Sequence, residues 1–249
     1  MSPPRRILIL GATSAIAQAY ARRRAVQGAA FVLLGRHQDR LAAVAADLLA
    51  RGAASADTFV GELAALDQVE TLASAVQARF GGFDEAVIAY GELGDQQKSE
   101  RDLAAARSML EINFVSPALW TLALLKNRPA DAPLALIVIG SVAGDRGRAG
   151  NFIYGAAKGG LDRLLEGLAQ EYDQTPVQIT MVKPGLVDTP MTASIPKRGP
   201  LWATPDQVAA SIERAVTANQ RVVYAPWFWR PIMTVIRHLP WFVFKRLKI

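Results

Sequence analysis

The 249-residue chain contains no cysteine, which excludes disulfides and thiolate metal sites. Histidine is almost as scarce. The two present, His37 and His238, lie far apart and neither belongs to a ligand pattern, so no metal site is expected. No continuous apolar run reaches the ~20 residues of a membrane span, which places the body of the protein in the cytoplasm. At the N-terminus positive charge precedes apolar residues, but the apolar run stops after four residues at Gly11, as a strand does and a signal peptide does not. There is no internal repeat and no linker, and this length suits one α/β domain. The formal charge of +6 comes from Lys and Arg spread along the chain, denser only at Arg22-Arg23-Arg24 and near the C-terminus, so no nucleic-acid partner is expected.

What the chain does have is 51% hydrophobic against 20% charged residues, enough for a substantial core. Short apolar runs at residues 7–10, 31–34, 58–60, 86–89, 134–139, 177–182 and 221–224 read as strands. Helical patterns lie between them at 18–27, 39–51, 66–80, 100–126 and 154–172, and another is opened by Pro205. The long 100–126 pattern is expected to bend or break around Pro117. This alternation predicts a doubly wound parallel sheet with helices on both faces and ligands at the carboxyl ends of its strands. Gly11, Arg36, Tyr90, Ser141 and Pro184 all fall at such ends.

The chemistry concentrates between Ser141 and Lys158. Tyr154 and Lys158 are four apart in a helical pattern, so they share one face and a cation adjoins a phenol. An adjacent cation favours the phenolate and lowers a pKa that is ordinarily near ~10, fitting Tyr154 to act as acid or base. Ser141 closes a buried strand, where its hydroxyl can bind a carbonyl oxygen. On its own Tyr-x-x-x-Lys is a weak pattern, more often an exposed helix pair with no chemistry, and the context must decide. Gly11-Ala-Thr-Ser-Ala-Ile-Ala17 follows the first strand and opens a helix, a turn whose small residues let backbone amides approach a pyrophosphate. The alternative is an ordinary Ala-rich turn. Arg36, after the second strand, is where an arginine accommodates the extra phosphate of NADP, whereas an acid would hold the ribose of NAD; a solvated loop arginine is the plainer alternative.

Taken together, the glycine turn, Asn113, Ser141, Tyr154-x-x-x-Lys158 and Pro184-Gly185 resemble the short-chain dehydrogenase/reductase family over essentially the whole chain. The resemblance implies a Rossmann-type domain over residues 1–225, a homodimer or homotetramer, and hydride transfer between a nicotinamide cofactor and a carbonyl or alcohol, with NADP favoured and NAD as the alternative. It further implies that Tyr154 donates the proton, Lys158 binds the nicotinamide ribose, Ser141 holds the substrate oxygen and Asn113 keeps a water relay. Cofactor contacts are implied at Gly11, Thr13, Ser14, Ala15, Ile16, Arg36, Glu62 (adenine), Ala89, Tyr90, Gly91, Pro184, Gly185, and at Val187 and Thr189 for the carboxamide. Two departures stand out: Ala15 and Ala17 replace the later glycines of the turn, and Ile88-Ala89-Tyr90-Gly91 replaces the usual Asn-Asn-Ala-Gly.

Within the family, Ala89-Tyr-Gly-Glu-Leu-Gly-Asp95, Glu111-Ile-Asn-Phe114 and Phe228-Trp-Arg-Pro-Ile-Met233 look like the decaprenylphosphoryl-2-keto-ribose reductases. That likeness implies a keto-sugar on a polyprenyl phosphate, used in cell-envelope polysaccharide, and a partner flavin oxidase. A general soluble carbonyl reductase and a non-catalytic cofactor-binding scaffold remain as alternatives. Residues 226–249 form an extension that mixes Trp227, Phe228, Trp229, Trp241, Phe242 and Phe244 with Arg230, Arg237, Lys245, Arg246 and Lys248. It suits either peripheral contact with the inner face of a membrane or packing on the core or another subunit. For the lipid phosphate, Arg146, Arg148, Lys197 and Arg198 fall in the two loops expected to flank the pocket.

Overall fold

The computed structural model describes residues 3–196 and 199–247. Seven strands form one sheet: β1 (Arg6–Leu10), β2 (Ala30–Gly35), β3 (Ser55–Val60), β4 (Glu85–Ile88), β5 (Leu134–Ile139), β6 (Val177–Pro184) and β7 (Val222–Ala225). Their order is β3-β2-β1-β4-β5-β6-β7, and every neighbouring pair is parallel. Because successive residues of a strand face opposite sides, Ile7, Ile9, Phe31 and Leu33 build one core layer, while Leu8, Leu10, Val32 and Leu34 build the other. Helices cover both layers, which is why these strands are continuously apolar rather than alternating. On the first face lie α1 (Ala15–Ala25), α2 (Gln38–Ala50) and α8 (Pro205–Thr217); on the second lie α3 (Val69–Phe80), α6 (Ser116–Asn127) and α7 (Phe152–Glu171). The predicted fold class is the one observed.

The order reverses between β1 and β4, opening a crevice at their carboxyl ends, the usual ligand position in such sheets. The boundaries differ from expectation where a polar residue joins an element. β4 begins one residue early, at Glu85, because Tyr20 donates to its carboxylate at 2.6 Å and Arg24 and Arg5 pair with it.

The expected 100–126 helix is instead α4 (Gln96–Arg101), α5 (Leu103–Leu110), a π-helical turn at Glu111–Val115, and α6. The break falls at Asp102, whose carboxylate leaves the helix to accept from the Ala104 amide at 2.9 Å. Pro117 does act, but upstream: it has no N–H to give the carbonyl four residues earlier, that of Asn113, and the backbone widens to i+5 bonding just before it. By length and mean hydropathy alone the segment Leu103–Asn127 suffices to cross a bilayer, although Arg107, Glu111 and Lys126 keep it from being a continuous apolar run. Here it is a core helix, with Met109, Trp120 and Leu125 buried in the fold.

Past β7 the chain continues as α9 (Trp229–His238) and α10 (Trp241–Phe244). Trp229 and Met233 are buried against Val142, in the turn that follows Ser141, with Ile232 and Ile236 beside them. The other face of this segment leaves Trp227, Val235, Trp241, Phe242 and Leu247 exposed.

Candidate active site

At the floor of the crevice Gly11 has φ +83, and a Cβ there would stand 2.8 Å from Cβ of Tyr90. Only glycine combines that backbone with so close an approach of the β1 and β4 ends. The Gly11 amide donates to the Leu34 carbonyl at 3.0 Å, and that of Ser14 to the Gly11 carbonyl at 2.9 Å, closing a tight turn into α1. Ser14 is the N-cap residue but makes no side-chain cap bond, so the helix terminus it precedes still has amides to offer an anion. Thr13 is exposed, Ser14 and Ala15 are half-buried, and Ile16 is in the core. At the ends of β2 and β3, Arg36 and Glu62 face each other at 3.7 Å, both well exposed. Such a pair is loose enough to open for a ligand.

Tyr90 answers the second departure noted in the sequence. Its hydroxyl lies 2.6 Å from Ser116 Oγ, which in turn donates to the Leu63 carbonyl at 2.5 Å, where Trp120 Nε1 also donates at 3.0 Å. The phenol therefore ties the end of β4 to α6 and to the segment after β3, and burial pushes its pKa up against the lowering effect of the Ser116 hydrogen bond. Ser116, Trp120 and Leu63 gave no signal in the sequence, because only the fold brings them together.

Asn113, inside the π-helical turn, is fully buried. Its side-chain amide donates to the Glu92 carbonyl at 3.0 Å and the Met109 carbonyl at 3.1 Å, and Oδ1 accepts from the Glu92 amide at 3.2 Å. The side chain is thus committed to holding the loop after β4. Gly91 makes room for it, since a Cβ there would come within 2.7 Å of Asn113 Oδ1 and 3.5 Å of Lys158 Nζ. Gly91, Asn113 and Lys158 accordingly meet in one place, and the Ala89 amide just before them donates to the Leu10 carbonyl at 2.9 Å.

Ser141 precedes a 3-10 turn, Val142–Asp145, and its Oγ accepts from the Ala143 amide at 3.1 Å. The turn lies directly on α7: a Cβ on Gly144 would stand 2.8 Å from the Lys158 carbonyl carbon, and one on Gly155 2.9 Å from the Ala143 carbonyl. Glycines here let two backbones touch and bring Ser141 to Tyr154. Burial raises the Tyr154 pKa, opposed by a hydrogen bond from Ser141 and by the Arg148 charge. The sequence expectation that Lys158 would lower it is not what this environment gives. Lys158 Nζ is 5.9 Å from the Tyr154 ring centroid and donates to the Ile139 carbonyl at 3.2 Å. Burial also brings the Lys158 pKa itself down to about 8.

The third wall follows β6. Pro184 ends that strand, the Gly185 amide donates to the Ala225 carbonyl at 3.2 Å, and the Trp229 indole lies against Gly185. Leu186–Val187 pairs with Trp202–Ala203 in a two-stranded ladder, which buries Val187. Thr189 caps the turn Pro190–Thr192, and the Thr192 hydroxyl donates to the Val187 carbonyl at 2.5 Å.

Above Tyr154 is a cleft of about 230 Å³, lined by Leu93, Met109, Asn151, Ile153 and Ile195 among others. Asn151 is the N-cap of α7 yet makes no side-chain cap bond, and its buried Oδ1 has no partner among the described residues. Arg148 Nε is likewise buried and unpartnered. Arg146 is occupied differently from the sequence expectation. It donates to the carbonyls of Ile236, Arg237 and Leu239 (2.8 Å for the last) and stacks 3.8 Å from the Phe244 ring centroid, clasping α9 and α10. Lys197 and Arg198 lie outside the described residues.

Residues 5–199 match the short chain dehydrogenase family model. An uncharacterized oxidoreductase of Mycobacterium tuberculosis is 37% identical over 241 residues, 97% of this chain and 96% of that protein. A second, from Streptomyces coelicolor, is 35% identical over 252 residues, 99% and 97% of the two chains. Among solved structures, a Shigella flexneri short chain dehydrogenase complexed with NADP superposes with a TM-score of 0.79 at 24% identity, covering 89% of this chain and 97% of that one. The extent of these matches, together with the crevice at the β1/β4 reversal, places the chain in the short-chain dehydrogenase family of oxidoreductases.

Proposed function

We propose that the protein is an NADPH-dependent reductase of a hydroxylated ketone, a keto-sugar carried on a polyprenyl phosphate. The observation that carries the substrate class is the cleft beside Tyr154, where the buried, unpartnered Asn151 Oδ1 leaves an acceptor that a substrate hydroxyl satisfies and a bare acyl chain does not. The residues present fit the cofactor. The Gly11 turn and the uncapped α1 terminus, with Thr13, Ser14, Ala15 and Ile16, would receive the pyrophosphate, and Arg36 would receive the 2′-phosphate that distinguishes NADP from NAD. Glu62 would meet the adenine, Ala89, Tyr90 and Gly91 would serve the ribose, and Pro184, Gly185, Val187 and Thr189 would hold the nicotinamide. When bound, the cofactor supplies the hydride.

The rest of the step belongs to the protein. Ser141 Oγ binds the substrate oxygen and Tyr154 gives it a proton; the raised phenol pKa keeps that proton in place at neutral pH. Lys158, a cation below about pH 8, orients the ribose. The relay at Asn113 runs through its backbone carbonyl, because Pro117 cannot bond that oxygen and the side chain is occupied by Glu92.

The test is oxidation of NADPH and of NADH in parallel, offering a polyprenyl-phosphoryl 2-keto-pentose and a water-soluble keto-sugar. Turnover of the lipid-linked compound, with NADPH preferred, is expected. Turnover of the soluble sugar alone would favour the general carbonyl reductase, and no turnover of any carbonyl would favour the scaffold.

The tail supports the lipid-linked reading. Its outward Trp227, Trp241 and Phe242 sit among exposed Arg230, Arg237, Lys245 and Arg246, the mixture that suits an anionic bilayer surface. The inward face, through Trp229 and Met233, is already packed on the site. Peripheral attachment at the inner membrane face, assembly as a homodimer or homotetramer and supply of the ketone by a flavin oxidase belong to the same reading. Replacing Trp241 and Phe242 together by Ala is expected to reduce co-sedimentation with phosphatidylglycerol vesicles about 5-fold or more while the fold survives, since both rings are exposed. Equal sedimentation of variant and wild type would remove the membrane role.

A further inference from the structure

Behind the Ser141 turn lies a cluster of charged side chains without solvent. Lys183 Nζ donates to Asp145 Oδ1 at 2.6 Å and to Asp162 Oδ2 at 2.8 Å, with the three side chains 3%, 0% and 6% exposed. Tyr224 donates to the second oxygen of Asp145 at 2.8 Å. Each comes from a different element: Asp145 ends the turn that Ser141 begins, Asp162 is one helical turn beyond Lys158 on α7, and Lys183 and Tyr224 are register partners on β6 and β7. Arg163, exposed, pairs with Asp162 from outside at 2.8 Å. Burial disfavours the Lys183 charge, but its hydrogen bonds to Asp145 and Asp162 outweigh this and raise its pKa.

A buried ion cluster is poor value as a stabiliser, because a well-packed apolar trio often does as well. What ions add is geometry: an apolar trio can slide, whereas a lysine shared by two carboxylates fixes both. We propose that Asp145, Lys183, Asp162 and Tyr224 are positioning residues that lock the Ser141 turn against the Tyr154–Lys158 helix, holding the Ser141 and Tyr154 hydroxyls in register for proton transfer.

The inference rests on the reductase reading of the site, and its consequences are specific. Loosening the turn weakens the Ser141 hydrogen bond that opposes the raised Tyr154 pKa, so the phenol should hold its proton to higher pH and donate it less readily. Asp162→Asn is expected to lower kcat for carbonyl reduction about 10-fold or more, leave the KM for NADPH within about 2-fold, and move the alkaline limb of the kcat profile upward. Asp162→Glu should restore part of both. Tyr224→Phe, which removes one hydrogen bond and no packing, should shift the limb in the same direction by less, and it decides the matter if Asp162→Asn does not fold. An unchanged kcat, or a loss of kcat with the limb in place, would overturn the proposal by showing a merely structural cluster. If the wild type reduces no carbonyl, the reductase reading fails separately. The locking itself is then read from amide exchange at residues 141–145, which must accelerate in Tyr224→Phe for the network to stand.

Discussion

Tyr154→Phe is expected to lower kcat for ketone reduction by about 10²- to 10⁴-fold, the usual worth of a positioned general acid, while leaving the affinity for NADPH within about 2-fold. The separation follows from geometry. The lost hydroxyl meets Ser141 and, on the proposed reading, the substrate oxygen, whereas the ring and the Lys158 amine near it, proposed to serve the ribose, remain. The phenol pKa is raised by burial, so in the wild type the reductive rate should stay level through neutral pH and fall only on the alkaline side, as the proton to be donated is lost. Stopped-flow NADPH oxidation over a pH series, beside a fluorescence titration of NADPH binding, measures both. A Tyr154→Phe protein that retains wild-type kcat would remove Tyr154 as the donor and return the site to a binding role.

The sheet could be read from the sequence because strands buried on both faces are apolar throughout and each is closed by glycine or a polar turn. Residues 7–10 and 134–139 show this plainly. Ser141 at a strand end and the Tyr154–Lys158 pair at i, i+4 are equally legible, since local geometry places each, whereas the meeting of Ser141 with Tyr154 depends on the close contact of the 142–145 turn with α7 at Gly144 and Gly155. The hidden parts depend on long-range contact. Nothing near Lys183 in sequence announces that Asp145 and Asp162 will meet it, and Tyr90 reads as a defect in a motif until Ser116 appears 2.6 Å from its hydroxyl. The 100–126 segment failed for a different reason. Asp102 has a choice between helix and cap that composition does not decide, and Pro117 disturbs the turn before itself, not its own position. Arg146 was misassigned because a loop cation next to a pocket and a loop cation capping a distant helix have the same sequence signature.

The second large effect concerns Lys158 and sets it apart from Lys183, the other buried lysine among the described residues. Lys183 keeps its charge by bonding two carboxylates, whereas Lys158 meets one carbonyl oxygen and, among the described residues, no acid, so burial brings its pKa from 10.5 down to about 8. A buried amine of depressed pKa makes folding less favourable. Below about pH 8 both folded and unfolded chains hold the proton and the whole penalty is present; between about 8 and the ordinary lysine value the folded chain releases its proton first, and the penalty fades. The shift corresponds to about 3 kcal/mol at 1.36 kcal/mol per unit, from which about 1 kcal/mol is subtracted for the lost bond to the Ile139 carbonyl. Lys158→Met is therefore expected to stabilise the fold at pH 7 by about 1–2 kcal/mol, raising Tm by roughly 3–6 °C, while lowering kcat on the order of 10²-fold. The gain should shrink as pH rises from 8 toward 10. Thermal unfolding of both proteins across that range, beside their turnover, tests this directly. A less stable variant at every pH would mean that Lys158 supports the fold, whereas a more stable and inactive one identifies an amine held against its solvation for the sake of the site.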